Sequence, residues 1–225
     1  MINRVKINKI LKFNKSLSKN YNFDIENNFF KNINHQRASK IFFQLECFKR
    51  ILNVKGCICE FGVFKGNSLN RLIIFRDFYS PSKKIYAFDV FKLIKVKKNS
   101  LDAKQYNQFL FDSKKFQPTY KDIKKNLISK NFFFNLKLVK GDVIKTLNKQ
   151  GIKKISFVIL DLDLYEPTIF VLNNIWDKMS KNGIIFLDNY KVFKGETKAV
   201  DEFIKENNIK VKKEKFYRDF YFLKK

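Results

Sequence analysis

Two aspartates stand one residue apart, Asp161 and Asp163, within the run ISFVILDLDLYEPT from Ile155 to Thr168. The six residues before them are almost continuously apolar, the pattern of a strand buried on both faces of a parallel sheet. An ionised carboxylate that leaves water is costly unless a cation or hydrogen bonds replace its hydration. Two of them at the end of a buried strand therefore point to a ligand. A second apolar run, GIIFLDN from Gly183 to Asn189, ends in Asp188 and Asn189. If the two runs are neighbouring strands, Asp161, Asp188 and Asn189 converge. Three oxygen donors there suit a hard divalent ion.

The elements between and before these residues supply that arrangement. Pro167 fits the first turn of a helix, Leu172, Ile175, Trp176 and Met179 fall on one helical face, and Gly183 fits a helix stop. A strand-helix-strand crossover of this kind is right-handed and sets successive strands side by side. Open α/β sheets bind ligands at the carboxyl edge of their strands. Upstream, GCICEFGVFKGNSLNRLIIF from Gly56 to Phe75 reads as strand, glycine turn and helix. Its Glu60, Gly62 and Gly66 form E-x-G-x-x-x-G, which differs from the G-x-G-x-x-G that receives a dinucleotide pyrophosphate. A smaller ligand without phosphate suits it, with Glu60 able to accept hydrogen bonds from the ammonium of an amino acid. KIYAFD, from Lys84, places Asp89 to accept the two ribose hydroxyls of an adenosine. LKLVKGD, from Leu136, places Asp142 to accept the adenine amino group. An acid after a strand often only caps a helix. Four strand ends bearing acids in ligand-binding order require more than capping.

A chain of 225 residues suits one domain with a sizeable core. The formal charge of +26 attracts anions, but Arg occurs only at 4, 37, 50, 71, 76 and 218, whereas readers of nucleic acid lean on Arg. A lysine-biased, solvated surface accounts for the excess. Cys47, Cys57 and Cys59 lack metal-ligand spacing and read as reduced core residues. No apolar stretch approaches the length of a membrane span and no signal peptide is evident, so a cytoplasmic protein is expected. His35 is the only histidine and precedes a helix expected from Arg37 to Leu52, which argues against a Ser-His-Asp hydrolase. Residues 1–37 are expected to form a basic helical extension, with Ile7, Ile10, Leu11 and Leu17 along a weakly amphipathic segment. The main domain then covers 38–225. Within it, residues 92–125 show little periodicity and read as a substrate-facing insert. Ala199, Val200, Phe203 and Ile204 mark a helix, and Ile209 to Phe216 with Asp219 to Lys225 read as a closing antiparallel pair.

The motifs EFGVFKGNS, Phe88-Asp89, KGD, LDLDLYEPT and FLDNYKVFKGETKAVDEF resemble those of the macrocin O-methyltransferase family, from about Ala38 to the C-terminus. The resemblance implies the class I methyltransferase fold, a Rossmann-like α/β sheet that is mostly parallel, with helices on both faces and a C-terminal antiparallel hairpin. It implies transfer of a methyl group from S-adenosylmethionine to a hydroxyl of a sugar or sugar-containing metabolite, such as an antibiotic or polysaccharide, with magnesium. By that resemblance Glu60, Gly62, Gly66, Asn67 and Ser68 hold the methionine end of the cofactor, Asp89 the ribose and Asp142 the adenine edge. Asp161, Asp188 and Asn189 hold the metal, and Asp163 is the base. The chain departs from the family in two places. Asp188-Asn189 stands where the family usually has two acids, although Asp-Asn is also the pairing in catechol O-methyltransferase-like enzymes, and Phe91 leads into KLIKVKKNS instead of a Phe-Glu-Gly-Leu-Pro-like turn. The expected acceptor is a small molecule or glycan, with anionic ones favoured by the charge, and a homo-oligomer is compatible with the sequence. An RNA methyltransferase and a catalytically inactive binding protein of the same fold are the alternatives. The first would show a basic stripe with exposed aromatics and the second would lack the metal acids.

Overall fold

A computed structural model describes residues 23–92, 94, 96, 100–112, 118–214, 217 and 220–225. The amphipathic residues expected between 1 and 20 lie outside the described residues. Six strands form one sheet: β1 (Cys57–Phe61), β2 (Ile85–Asp89), β3 (Leu136–Lys140), β4 (Ile155–Leu160), β5 (Met179–Leu187) and β6 (Tyr221–Lys224). Their order is β3-β2-β1-β4-β5-β6, parallel except for β6 against β5. The order reverses between β1 and β4, the switch point where such sheets open a crevice.

Side-chain alternation along the strands splits the core into two layers. Phe157 and Ile159 of β4 face one layer, with Ile58, Ile184 and Phe186. This layer is covered by α2 (His35–Arg50), α3 (Asn67–Tyr79) and α5 (Tyr120–Ser129). Val158 and Leu160 face the other, with Cys59, Phe61, Ile185 and Leu187, under α6 (Val143–Thr146), α7 (Tyr165–Ile175) and α8 (Lys194–Glu206). A short α1 (Phe23–Asn32) precedes α2, and α4 (Ala103–Asp112) follows β2. All six residues of β4 are buried.

Several expectations need correction. The insert is not irregular among its described residues: it carries α4 and the start of α5. The α5 helix begins with a capping box, Thr119 bonding to the Asp122 amide and Asp122 bonding back. The helix before β5 stops at Ile175, and Met179 opens β5 instead of extending the helical face. Gly183 is no helix stop; it sits inside β5, where a Cβ would meet the Ser180 carbonyl at 2.8 Å. Of the expected closing pair, β6 is present but the first strand is reduced to a single bridge between Lys212 and Phe222. Residues 215, 216 and 219 of that pair lie outside the described residues. The helix expected from Arg37 begins two residues earlier and crosses the expected boundary at 37/38.

Candidate active site

The parallel ladder runs one residue past the strand ends and sets the acids level. The amide of Asp161 bonds to the Phe61 carbonyl at 2.9 Å, and that of Asp188 to the Leu160 carbonyl at 2.9 Å. Asp161 and Asp188 thus stand side by side on adjacent strands. Both fall on the face that Glu60 shares, because each sits an even number of residues from Ile159, Phe186 and Ile58 respectively. Asn189 joins them: its amide nitrogen lies 2.6 Å from Asp161 Oδ1 and 2.6 Å from Asp163 Oδ1. The expected metal set and the expected base are therefore brought together.

Asp163 occupies the left-handed region at φ +62°, which an aspartate tolerates better than most residues. Its backbone is held there by Glu196 of α8, which sequence reasoning assigned no role. Glu196 is fully buried and accepts from the amides of Asp163 and Asn189, each at 3.1 Å, clamping the turns after β4 and β5 together.

Glu60 is also fully buried, and neither of its carboxyl oxygens has a hydrogen-bond partner among the described residues. Gly62 beside it has φ +93°, and a Cβ there would lie 1.8 Å from the Asp161 carbonyl oxygen. That glycine serves the close approach of two strands. Gly66, at φ +77°, caps α3, whose first residues Asn67 and Ser68 leave backbone donors free of any side-chain cap. A helix N-terminus of this length favours a carboxylate. Asp89 accepts from the amides of Val63 and Phe64, at 2.8 and 2.9 Å, and from Phe91 at 2.6 Å, and so fixes the glycine turn. Asp142 is exposed and caps α6 by accepting from the Ile144 amide at 3.0 Å. It stands apart from the cluster, beside Asp89 through the bond from the Gly141 amide to the Asp89 carbonyl.

Two cations from the covering helices face these acids. Lys40 of α2 bonds to Asp188 Oδ2 at 2.6 Å. Arg71 of α3 is held through its Nε and Nη2 by Gln44 Oε1, at 3.1 and 3.0 Å. Burial pushes the Glu60 carboxyl up to about 8, opposed by the nearby Ser68 hydroxyl, which does not reach hydrogen-bonding geometry, and by the Arg71 charge. Burial and the charge of Asp188 push Asp163 up to about 7 and raise Asp161 well above the usual carboxylate range. Burial and the charge of Asp163 push Glu196 up to about 8. The edge is short of positive charge.

The donors present fit the ligands that the sequence implies. An unpartnered buried carboxylate at Glu60 suits an ammonium. Asp188 Oδ1 is likewise buried without a partner among the described residues, and a half-turn of the Asn189 amide would present oxygen instead of nitrogen to the same space. No group of three or more His, Cys, Asp or Glu among the described residues has metal-holding geometry; the third of the expected donors is the Asn189 amide. Over the edge, Phe109 of α4 packs between Phe64 and Phe193 at ring distances of 5.5 and 6.3 Å. Asp102 accepts from the Tyr165 amide at 3.2 Å, and Gln105 grips Val192 and Lys194 at 3.0 and 2.7 Å. The insert is thereby docked on the turns that carry Asp163 and Asn189.

The sequence matches the model of the macrocin O-methyltransferase (TylF) family over residues 33–222. The chain belongs to that family. Its activity is S-adenosylmethionine-dependent O-methylation. Solved structures with the same fold include the O-methyltransferase NovP, at TM-score 0.73 and 22% identity over 83% of this chain and 79% of that one. They also include CalS11, calicheamicin methyltransferase, at TM-score 0.65 and 20% identity, covering 96% of this chain and 91% of that one. A putative rRNA methylase from Clostridium thermocellum has TM-score 0.53 and 16% identity, over 80% and 93% of the two chains. No curated protein sequence matches. The macrocin O-methyltransferase fold described above contains, among its described residues, no helix long and apolar enough to cross a membrane.

Proposed function

We propose that the chain methylates a hydroxyl of a sugar ring, with Asp163 as general base and a divalent ion, magnesium by preference, held by Asp161, Asp188 and the Asn189 amide oxygen. The observation that carries this reading is the gathering of buried acids at one strand edge: Glu60 on β1 and Asp188 after β5 have oxygens without a partner among the described residues, and Asp163 is joined to Asp161 through the Asn189 amide. S-adenosylmethionine supplies the activated methyl group. Glu60 accepts its ammonium, the open N-terminus of α3 at Asn67 and Ser68 receives its carboxylate, and Asp89 and Asp142 line the ribose and adenine side. A bound divalent ion supplies Lewis acidity to the acceptor hydroxyl. Asp163, poised near neutrality, takes the proton of that hydroxyl, and the Glu196 clamp keeps the base in place. Phe64, Phe109 and Phe193 exclude water above the reacting atoms.

The acceptor we favour is an anionic sugar derivative such as a nucleoside-diphosphate sugar. Lys65, Lys92, Lys104, Lys191 and Lys194 are exposed on the loops and helix around the carboxyl edge. The structural neighbour CalS11 is a TDP-rhamnose 3'-O-methyltransferase. RNA methylation draws on the net charge, yet the groove lined by Lys55, Lys153, Lys154, Lys178 and Lys181 lies at the opposite edge of the sheet, away from the acids. The test is incubation with methyl-labelled S-adenosylmethionine and a panel of nucleoside-diphosphate sugars, free sugars and RNA, read by mass spectrometry. A methyl group on a sugar hydroxyl is expected. Label in RNA and in no sugar would overturn the reading.

A further inference from the structure

Lys40 and Gln44 lie one turn apart on the same face of α2, and each reaches a different strand end. Gln44 holds Arg71 near Glu60, and Lys40 holds Asp188. The helix itself is anchored by Phe43, Cys47 and Phe48, all fully buried, so the Lys40 stem leaves a fixed backbone. The ion pair is unusual in what it leaves open. The side chains of Lys40 and Asp188 are 15% and 4% exposed, yet only Asp188 Oδ2 is bonded. Asp188 Oδ1 is buried and has no partner among the described residues. A pair serving stability alone would satisfy both oxygens, because an orphaned carboxylate oxygen forfeits its hydration.

We propose that Lys40 is a positioning residue: its ammonium fixes Asp188 through Oδ2 so that Oδ1 is turned into the space between Asp161 and Asn189, ready for a divalent ion. This role rests on Asp188 being a metal donor. Partners that orient ligands from behind typically change metal affinity by about 10–100-fold when removed. The alternative, an ammonium that competes with the metal, has the opposite sign, since its removal would tighten binding.

The experiment uses the whole chain and manganese as the probe, followed by electron paramagnetic resonance, with metal-free S-adenosylmethionine calorimetry and thermal melts alongside. Lys40→Met is expected to weaken manganese binding about 10–100-fold while cofactor affinity stays unchanged. Lys40→Arg, which keeps the charge and a donor, should recover most of the affinity. Should Lys40→Met fail to fold, Lys40→Gln is held to the same criterion. A merely structural lysine would lower the melting temperature and leave manganese affinity alone, and that result overturns the proposal, as does tighter binding. If the unaltered chain takes no manganese, the metal reading falls and this role with it. Normal binding by both proteins sinks the Lys40 role alone.

Discussion

At the amino edge of the sheet Lys55, Lys153, Lys154 and Lys181 line a groove and remain exposed, whereas at the carboxyl edge Glu60, Asp188 and Glu196 are buried. The lysines keep their water and cost the fold little. The acids have lost theirs, and two of them have oxygens that no described group satisfies. A net charge of +26 therefore conceals a site that lacks positive charge. Charge on the surface reflects composition, and ionisable groups buried against their own cost reflect a ligand. The bodies of the strands offset that cost through two apolar layers packed on both faces of β4.

The comparison breaks most severely if the body is cut. Phe157→Ala empties a fully packed site between β4 and α2, where Phe48 meets its ring at 5.8 Å. A loss of about 3–5 kcal/mol in chemical denaturation is expected. At the edge the signs reverse. Asp163→Asn keeps the acceptor for Asn189 and tolerates φ +62°, but removes one of several mutually repelling charges. Methyl transfer should fall about 10²–10⁴-fold while the melting temperature holds or rises. A variant that loses stability and keeps its rate would show that Asp163 is structural. A smaller effect is expected where the insert meets the edge. In Gly195→Ala the new Cβ would lie 1.6 Å from Asp102 Oδ1 and 2.7 Å from the Tyr165 nitrogen. Asp102 must leave, so limited proteolysis within the insert should quicken and stability fall by about 1–3 kcal/mol, with cofactor binding intact.

How much of this was legible in the sequence follows the same division. Strand β4 announced itself because every residue of a buried parallel strand must be compatible with two apolar layers, and the acids stood out against that run. Glu196 did not, although it lies in the quoted GETKAVDEF segment, because its partners Asp163 and Asn189 are brought to it only by the crossover through α7. Lys40 lies 148 residues from Asp188, and no local pattern links them. The helices of the insert were missed because their buried residues are few, Ala103 and Tyr106 in α4 and Ile123 and Leu127 in α5. Thr119 and Asp122 were a readable helix start for the second. Gly183 misled because a glycine inside a bulged strand looks the same in sequence as one that ends a helix.

The claim at the centre of this account is that the buried acids are left unpartnered because cationic ligands complete them, and Glu60 tests it most directly. Its carboxyl is raised to about 8 by burial, among Arg71 of α3, Ser68, Asp188 at the end of β5 and Asp89 at the end of β2. The free chain should lose stability as pH climbs from the ordinary 4.5 towards 8, because the folded state resists giving up that proton. The ammonium of S-adenosylmethionine needs the ionised form, so cofactor affinity should rise by up to about tenfold per pH unit below 8. Calorimetry at pH 7 in buffers of different ionisation enthalpy reads the linked proton. Binding should release roughly one proton, and Glu60→Gln should bind more weakly and release none. Equal affinity and equal proton release in Glu60→Gln, or no binding of S-adenosylmethionine by the unaltered chain, would contradict it.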